Sequence, residues 1–283
     1  MKPDGTLQST LFGSVQELRK TGYSWTNGIQ VEVERRFSKG IQFQMYYNML
    51  NALRLGSGGG GTDATVNDIN QFLPGTVPAD VSERHRLLDY QREGGTPKHR
   101  LRWNFIVDLP FGRDKAIGRH AHGLLDKIIG GWQISNIFVA QSGTPLSITA
   151  SGTLFNTPGN TAYADLVGTQ TILGGLGPGN LYFDPKAYAQ PANATQGNLT
   201  RNEGPEGPGF WELDSSLFKR FAVGGKRYAE IHVDMYNTTN SVRWGNPNTG
   251  FSAATTGNTF GQIQGIAAGS GPRTIRFGAR YVF

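Results

Sequence analysis

Apolar and polar residues alternate with a period of two along much of this chain, the pattern of strands with one apolar and one polar face. In residues 25–37 one face carries Trp25, Ile29, Val31, Val33 and Phe37, and the other Gln30, Glu32, Glu34 and Arg36. Ser38-Lys39-Gly40 makes a short turn. Ile41, Phe43, Met45, Tyr47 and Met49 then alternate with Gln42, Gln44, Tyr46 and Asn48. The two segments predict a hairpin whose arms exceed the usual strand of about 5–6 residues.

The alternation returns five times. In residues 98–109, Leu101, Trp103, Phe105, Val107 and Leu109 oppose Arg100, Arg102, Asn104 and Asp108. Residues 132–149 are patterned more weakly, with Trp132, Ile134, Phe138 and Ala140 on one side. Residues 212–223 set Leu213, Leu217, Phe221 and Val223 against Asp214, Ser216 and Arg220. Residues 228–239 set Ala229, Ile231, Val233 and Met235 against Glu230, His232 and Asp234. Residues 273–283 set Ile275, Phe277, Ala279, Tyr281 and Phe283 against Arg276 and Arg280. Seven strands are predicted, and a poorly patterned segment over residues 7–18 is a candidate eighth.

The connections alternate in length. Residues 38–40 and 224–225 are tight turns, and 110–131 is a longer turn with Arg113, Lys115, Arg119 and Lys127. Residues 54–97, 150–210 and 240–272 are long segments rich in Gly, Asn, Thr and Pro. Loops beyond about 12–15 residues are uncommon in compact domains and are usually functional or disordered. Here they occupy every second connection, so one end of the sheet bears turns and the other bears large loops.

This combination describes an all-β, antiparallel, up-and-down transmembrane β-barrel segment with long extracellular loops. In lipid every backbone polar group must be paired, which only a closed sheet or a helix achieves. The lipid side of each strand must be apolar, whereas the lumen side tolerates charge. The lumen candidates are Glu32, Glu34, Arg36, Arg100, Arg102, Glu230, Asp234, Arg276 and Arg280, with His232 among them. Aromatics near predicted strand ends, among them Trp25, Phe37, Tyr46, Tyr47, Trp132, Trp211 and Tyr236, suit interfacial girdles. A soluble β-sandwich also alternates its strands. Its strands are usually shorter, and its connections do not alternate so regularly.

Composition supports a β-protein. Hydrophobic residues make up 37% of the 283 and charged residues 17%, below the roughly 45–50% and 25% of an average soluble domain. With 40 Gly the chain is unsuited to a helical bundle. The absence of Cys excludes disulfides, thiolate metal sites and a cysteine nucleophile. No run approaches the ~18 apolar residues of a spanning helix. The first residues lack the apolar core of a signal peptide.

The last eight residues, Arg276-Phe277-Gly278-Ala279-Arg280-Tyr281-Val282-Phe283, resemble the C-terminal signal of bacterial outer-membrane barrels. The resemblance implies that Phe277, Tyr281 and Phe283 are read by the barrel assembly machinery. A wider resemblance, to Oar-like TonB-dependent transporters of acidobacterial type, covers nearly the whole chain. It rests on residues 29–41, Asp108-Leu109-Pro110-Phe111-Gly112, Gly130-Gly131-Trp132-Gln133-Ile134-Ser135 and Gln141-Ser142-Gly143-Thr144-Pro145. Gly207-Pro208-Gly209-Phe210, Asp214-Ser215-Ser216-Leu217-Phe218-Lys219, Gly245-Asn246-Pro247-Asn248 and Phe260-Gly261-Gln262-Ile263 follow in the same order. In that family a plug domain and a TonB box precede a 22-stranded barrel. Neither is expected in these 283 residues, which read as one C-terminal barrel part. The resemblance implies uptake of a large nutrient such as a siderophore, cobalamin or glycan. It implies contact with outer-membrane lipid and, through the N-terminal plug and barrel portion alone, with TonB.

No catalytic constellation stands out, and neither an enzymatic activity nor a cofactor is expected. His120-Ala121-His122 lacks the three or four convergent ligands of a metal site. Glu83-Arg84-His85-Arg86 and Arg92-Glu93 read as loop charges or lumen ion pairs. Ser142-Gly143-Thr144-Pro145 lacks the frame of a nucleophile elbow, and the Gly-rich tract 56–61 lacks the Lys-Ser/Thr of a phosphate loop. The net charge of +6 is spread over strands and turns, so nucleic acid is not an expected partner. Two other readings fit the same pattern. One is a stand-alone small barrel with a structural or adhesive role. The other is a soluble sandwich that binds carbohydrate.

Overall fold

The structure, a computed structural model, describes residues 24–54, 91–150, 163–192, 197–199, 201–253 and 257–283. The predicted strand at 7–18, the Gly-rich tract 56–61 and the charges at 83–86 lie outside the described residues. In chain order the elements are β1 (Ser24–Ser38), β2 (Ile41–Arg54), β3 (Gln91–Arg92), β4 (His99–Asp108), α1 (Leu124–Ile129) and β5 (Trp132–Gln141). Then come β6 (Asp165–Leu166), β7 (Tyr188–Ala189), β8 (Phe210–Gly224), β9 (Arg227–Tyr236) and β10 (Thr274–Val282).

Seven long strands form one antiparallel meander in the order β1-β2-β4-β5-β8-β9-β10, with two-residue β3 paired to the end of β2. The β1–β2 turn shows why these residues fold back. Lys39 and Gly40 both take positive φ, 53° and 78°, as a two-residue turn between right-twisted strands requires. The sheet is open among the described residues. An odd meander leaves β1 and β10 running the same way, so joining them directly would make a parallel pair. Wholly antiparallel closure takes an odd number of further strands.

The register carries one face across every strand. Val33, Met45, Trp103, Phe138 and Leu213 stand side by side on the apolar face. Trp103 and Phe138 stack there with ring centroids 4.2 Å apart. Glu32, Tyr46, Arg102, Val139 and Glu212 form a row on the other face. The apolar face is left largely uncovered: Trp25, Ile29, Ile231, Phe277 and Tyr281 are exposed. A soluble sandwich would bury this face against a second sheet, and none packs here among the described residues.

The structure corrects several expected bounds. The strand read over 132–149 ends at Gln141, because Pro145 and the glycines around it divert the chain. The strand read over 228–239 ends at Tyr236, where Asn237 turns the backbone with φ 50°. The second strand runs on to Arg54, so Tyr46 and Tyr47 are mid-strand and not girdle residues. The faces are also less pure than the alternation implied. Asn136, Ser215 and Lys219 lie on the apolar face, while Ile106 and Phe218 lie on the polar one. Asn136 and Ser215 satisfy each other: the Ser215 hydroxyl donates to Asn136 Oδ1 at 2.5 Å, and Thr238 donates to Ser215 at 3.0 Å.

The hydrophobic core lies outside the sheet. Ile148, Tyr163, Phe183 and Ile263 are fully buried. They belong to the β5–β8 and β9–β10 connections, whose described residues fold into a cap beyond one end of the strands.

Candidate functional site

The cap starts where β5 and β8 leave the sheet. Their ladder continues as a stalk: Gly207 N–H donates to Thr144 O at 2.9 Å, Leu146 to Pro205 at 3.0 Å and Gly204 to Leu146 at 2.8 Å. Glycine is required here by close approach. A Cβ on Gly143 would lie 1.7 Å from the Gly207 carbonyl oxygen, and one on Gly209 would lie 2.7 Å from that of Gln141. The segments 141–145 and 207–210, far apart in the chain, are thus backbone against backbone. Arg92 on β3 braces the stalk. Its guanidinium donates to the carbonyls of Asn202 (3.1 Å) and Gly204 (2.8 Å) and lies 3.6 Å from Glu206. The charge pair read in the sequence as a loop or lumen feature is therefore a stalk contact on the Arg92 side.

Above the stalk, β6 pairs with β7, and single bridges join Thr149 to Tyr163 and Gly250, Leu181 to Gln262, and Pro247 to Ile263. Phe183, Tyr188, Phe260 and Phe251 pack edge to face at 5.2–5.7 Å between centroids, the arrangement that aromatic quadrupoles favour. Backbone groups with no ladder partner are served by asparagines. Asn198 accepts from Leu166 N–H at 2.7 Å and donates to Leu166 O at 3.1 Å. Asn202 donates to Arg92 O at 2.7 Å. Asn237 donates to Ser241 O and Gly271 O where β9 enters the cap.

A cleft of about 700 Å³ opens beside the stalk, lined by Arg92, Leu166, Gln170, Asn198, Leu199 and Glu203. Its lining mixes carboxamides, a guanidinium and a carboxylate with two leucines. Two tyrosines nearby are perturbed. Burial, then the field of Glu206, raises the Tyr182 hydroxyl, which donates to Glu206 O at 3.1 Å. Burial, then Asp184, pushes Tyr188 up to about 12, and its hydroxyl has no hydrogen-bond partner among the described residues.

The predicted lumen residues divide into two groups on the polar face. Glu32 and Glu34 stand on β1 beside Tyr46 and Gln44, with Arg102 next to Tyr46 and Arg100 next to Asn48. Gln44 donates to Glu32 at 3.2 Å. Arg36 falls at the register shift between Arg35 and Ser38. On the far strands Glu230 is bridged by two guanidiniums, Arg220 at 2.6 Å and Arg280 at 3.1 Å. Asp234 accepts from Ser216 at 2.6 Å and lies 3.5 Å from His232. Arg276, beside Asp234 in register, stacks over the Tyr236 ring at 5.1 Å. Phe277, Tyr281 and Phe283 are exposed on or just beyond edge strand β10, Phe283 by 95%. The paired histidines at 120 and 122 sit exposed in the β4–β5 turn.

Sequence reasoning missed the cap core and Lys219. The only signal for Lys219 was a charge on the apolar side of the alternation.

A family model described as an outer membrane beta barrel domain matches residues 3–276. Comparisons with curated proteins and with solved structures find no match.

Proposed function

This chain belongs to the outer membrane beta barrel domain family, and from that premise we propose that it supplies wall strands and an extracellular cap to a TonB-dependent transporter. The cargo is a large nutrient of the siderophore, cobalamin or glycan class. The observation that carries this reading is the cap. Loops with no task beyond joining strands have no need of a buried aromatic core, yet described residues of the β5–β8 and β9–β10 connections build one on a glycine-zipped stalk. Its side cleft then meets ligand outside the cell. The motifs that resemble Oar-like transporters support the same reading, since Gly143, Gly207, Pro247 and Ile263 all lie in the stalk and cap.

In this reading the apolar face meets lipid, and Glu32, Glu34, Arg36, Arg100, Arg102, Glu230, Asp234, Arg276 and Arg280 line the lumen. Phe277, Tyr281 and Phe283 address the barrel assembly machinery. The wall does no chemistry and holds no cofactor. TonB acts through a plug portion, not through these strands.

The test is uptake by whole cells. A strain deleted for this gene should lose uptake of one member of a panel of ferric siderophores, cobalamin and oligosaccharides. The same loss should follow when TonB is removed. Wild-type uptake of the whole panel by the deletion strain would end the proposal.

A further inference from the structure

The β4–β5 connection is at the end of the sheet opposite the cap, and its one helix sits in an unusual place. The C-terminal carbonyls of α1 meet the apolar face. Lys219, on that face beside Trp132 and Ile231 in register, is only 4% exposed. Its ammonium donates to the carbonyls of Lys127 (2.5 Å), Ile128 (3.2 Å) and Gly130. The Trp132 indole donates to Ile128 O at 2.9 Å, and the ammonium stacks over the rings of Trp132 and Phe221. The C-terminal carbonyls of α1 are thereby pinned to the side of the wall that meets lipid.

The apolar side of α1 is uncovered. Leu124, Leu125 and Ile128 share one side of the helix and are 73%, 57% and 58% exposed. An apolar stripe held beside a lipid-facing wall continues that wall. Around it the charge is one-sided. The turn carries Arg113, Lys115, Arg119 and Lys127 against Asp114 and Asp126, all exposed except half-buried Asp126. The neighbouring tight turns at the same end add Lys39, Lys226 and Arg227, with Asp108 against Gly40. Seven basic side chains thus face three carboxylates at this rim, Asp108 included. An apolar helix face flanked by Lys and Arg is the composition of an interfacial helix on an anionic membrane.

We propose that the β4–β5 turn docks on anionic phospholipid of the periplasmic leaflet. Leu124, Leu125 and Ile128 bed among the headgroups, and the basic rim binds their phosphates. The occupant follows from charge complementarity and from continuity with the apolar wall. The proposal rests on the reading of the apolar face as lipid-facing, and the test separates the two.

The chain has no cysteine, so Leu125→Cys gives a unique labelling site. The full chain, labelled there with an environment-sensitive fluorophore, is reconstituted into phosphatidylcholine vesicles with or without phosphatidylglycerol. The expected result is several-fold stronger quenching by a headgroup-proximal nitroxide lipid when phosphatidylglycerol is present, with protection from aqueous iodide. Lys115→Glu with Arg119→Glu should abolish that dependence, and so should high salt. Equal quenching in both vesicles overturns the proposal, as does free access of iodide. Val31→Cys serves as the wall control. A quenched wall label with an unquenched Leu125 label refutes the docking turn alone, whereas an unquenched wall label refutes both.

Discussion

Phe183→Ala should unfold the cap and leave the wall standing. Phe183 is fully buried, edge-on to Phe260 at 5.2 Å and to Tyr188 at 5.6 Å. Truncating such a ring costs about 3–5 kcal/mol, of which each aromatic contact accounts for about 0.5–1.5 kcal/mol. At about 1.4 kcal/mol per factor of ten, the open fraction of the cap rises roughly a hundred- to a few thousand-fold. The buried cluster around Phe183 is drawn wholly from the cap and stalk, residues 148 to 263 without the long strands. The loss is therefore local. The assay is proteolysis of the full chain in outer-membrane vesicles, where cleavage follows the open population when reclosing is fast. Cap fragments should appear faster by that factor, while the strands stay protected from the protease. A cleavage rate within about threefold of wild type would refute the separate-core argument, since even the smallest expected loss, about 3 kcal/mol, predicts far more. Loss of the wall together with the cap would refute it too.

Three further outcomes follow from other parts of the molecule. Gly143→Ala places a methyl 1.7 Å from the Gly207 carbonyl and should destabilise the stalk by about 1–3 kcal/mol or more, whereas Gly265→Ala, with open space around it, should leave the same proteolysis rate unchanged. Tyr188 is held up to about 12 from an unfolded value of about 10, so its contribution is complete below about pH 10 and fades as pH rises through about 12. Near-UV circular dichroism of the full chain should therefore show the cap loosening across that window, and Tyr188→Phe, which deletes a hydroxyl with no partner among the described residues, should weaken the slope without loss at neutral pH. Deleting Phe283 should lower the amount recovered in the outer membrane several-fold, read by blotting the membrane fraction, and unchanged recovery would show that the exposed terminal ring is not an assembly signal.

The wall was legible in the sequence because its period-2 pattern is a direct image of its register. Val33 and Glu32 point to opposite faces, and each neighbouring strand repeats the split. The turn at Lys39-Gly40 was legible for a similar local reason. What the alternation hides is exceptions. Lys219 and Asn136 sit on the apolar face because each finds its partner across the chain, Lys219 in the carbonyls of α1 and Asn136 in Ser215. The cap was legible only as length and composition. Its core residues Ile148, Tyr163, Phe183, Leu199 and Ile263 follow no period. They meet through isolated bridges and asparagine clips between distant segments, and such contacts leave no local imprint.

The stalk and cap also bear on how the molecule stays where it is put. The cap core draws on residues from both the β5–β8 and the β9–β10 connections, so in the proposed barrel it assembles only after both have reached the same side of the membrane. Once assembled, it cannot be withdrawn between strands without losing its entire packing. It is the head of a rivet formed in place. For the wall proposed above, insertion becomes a one-way step, and strands with no disulfide between them are locked in place by the folding of their own loops.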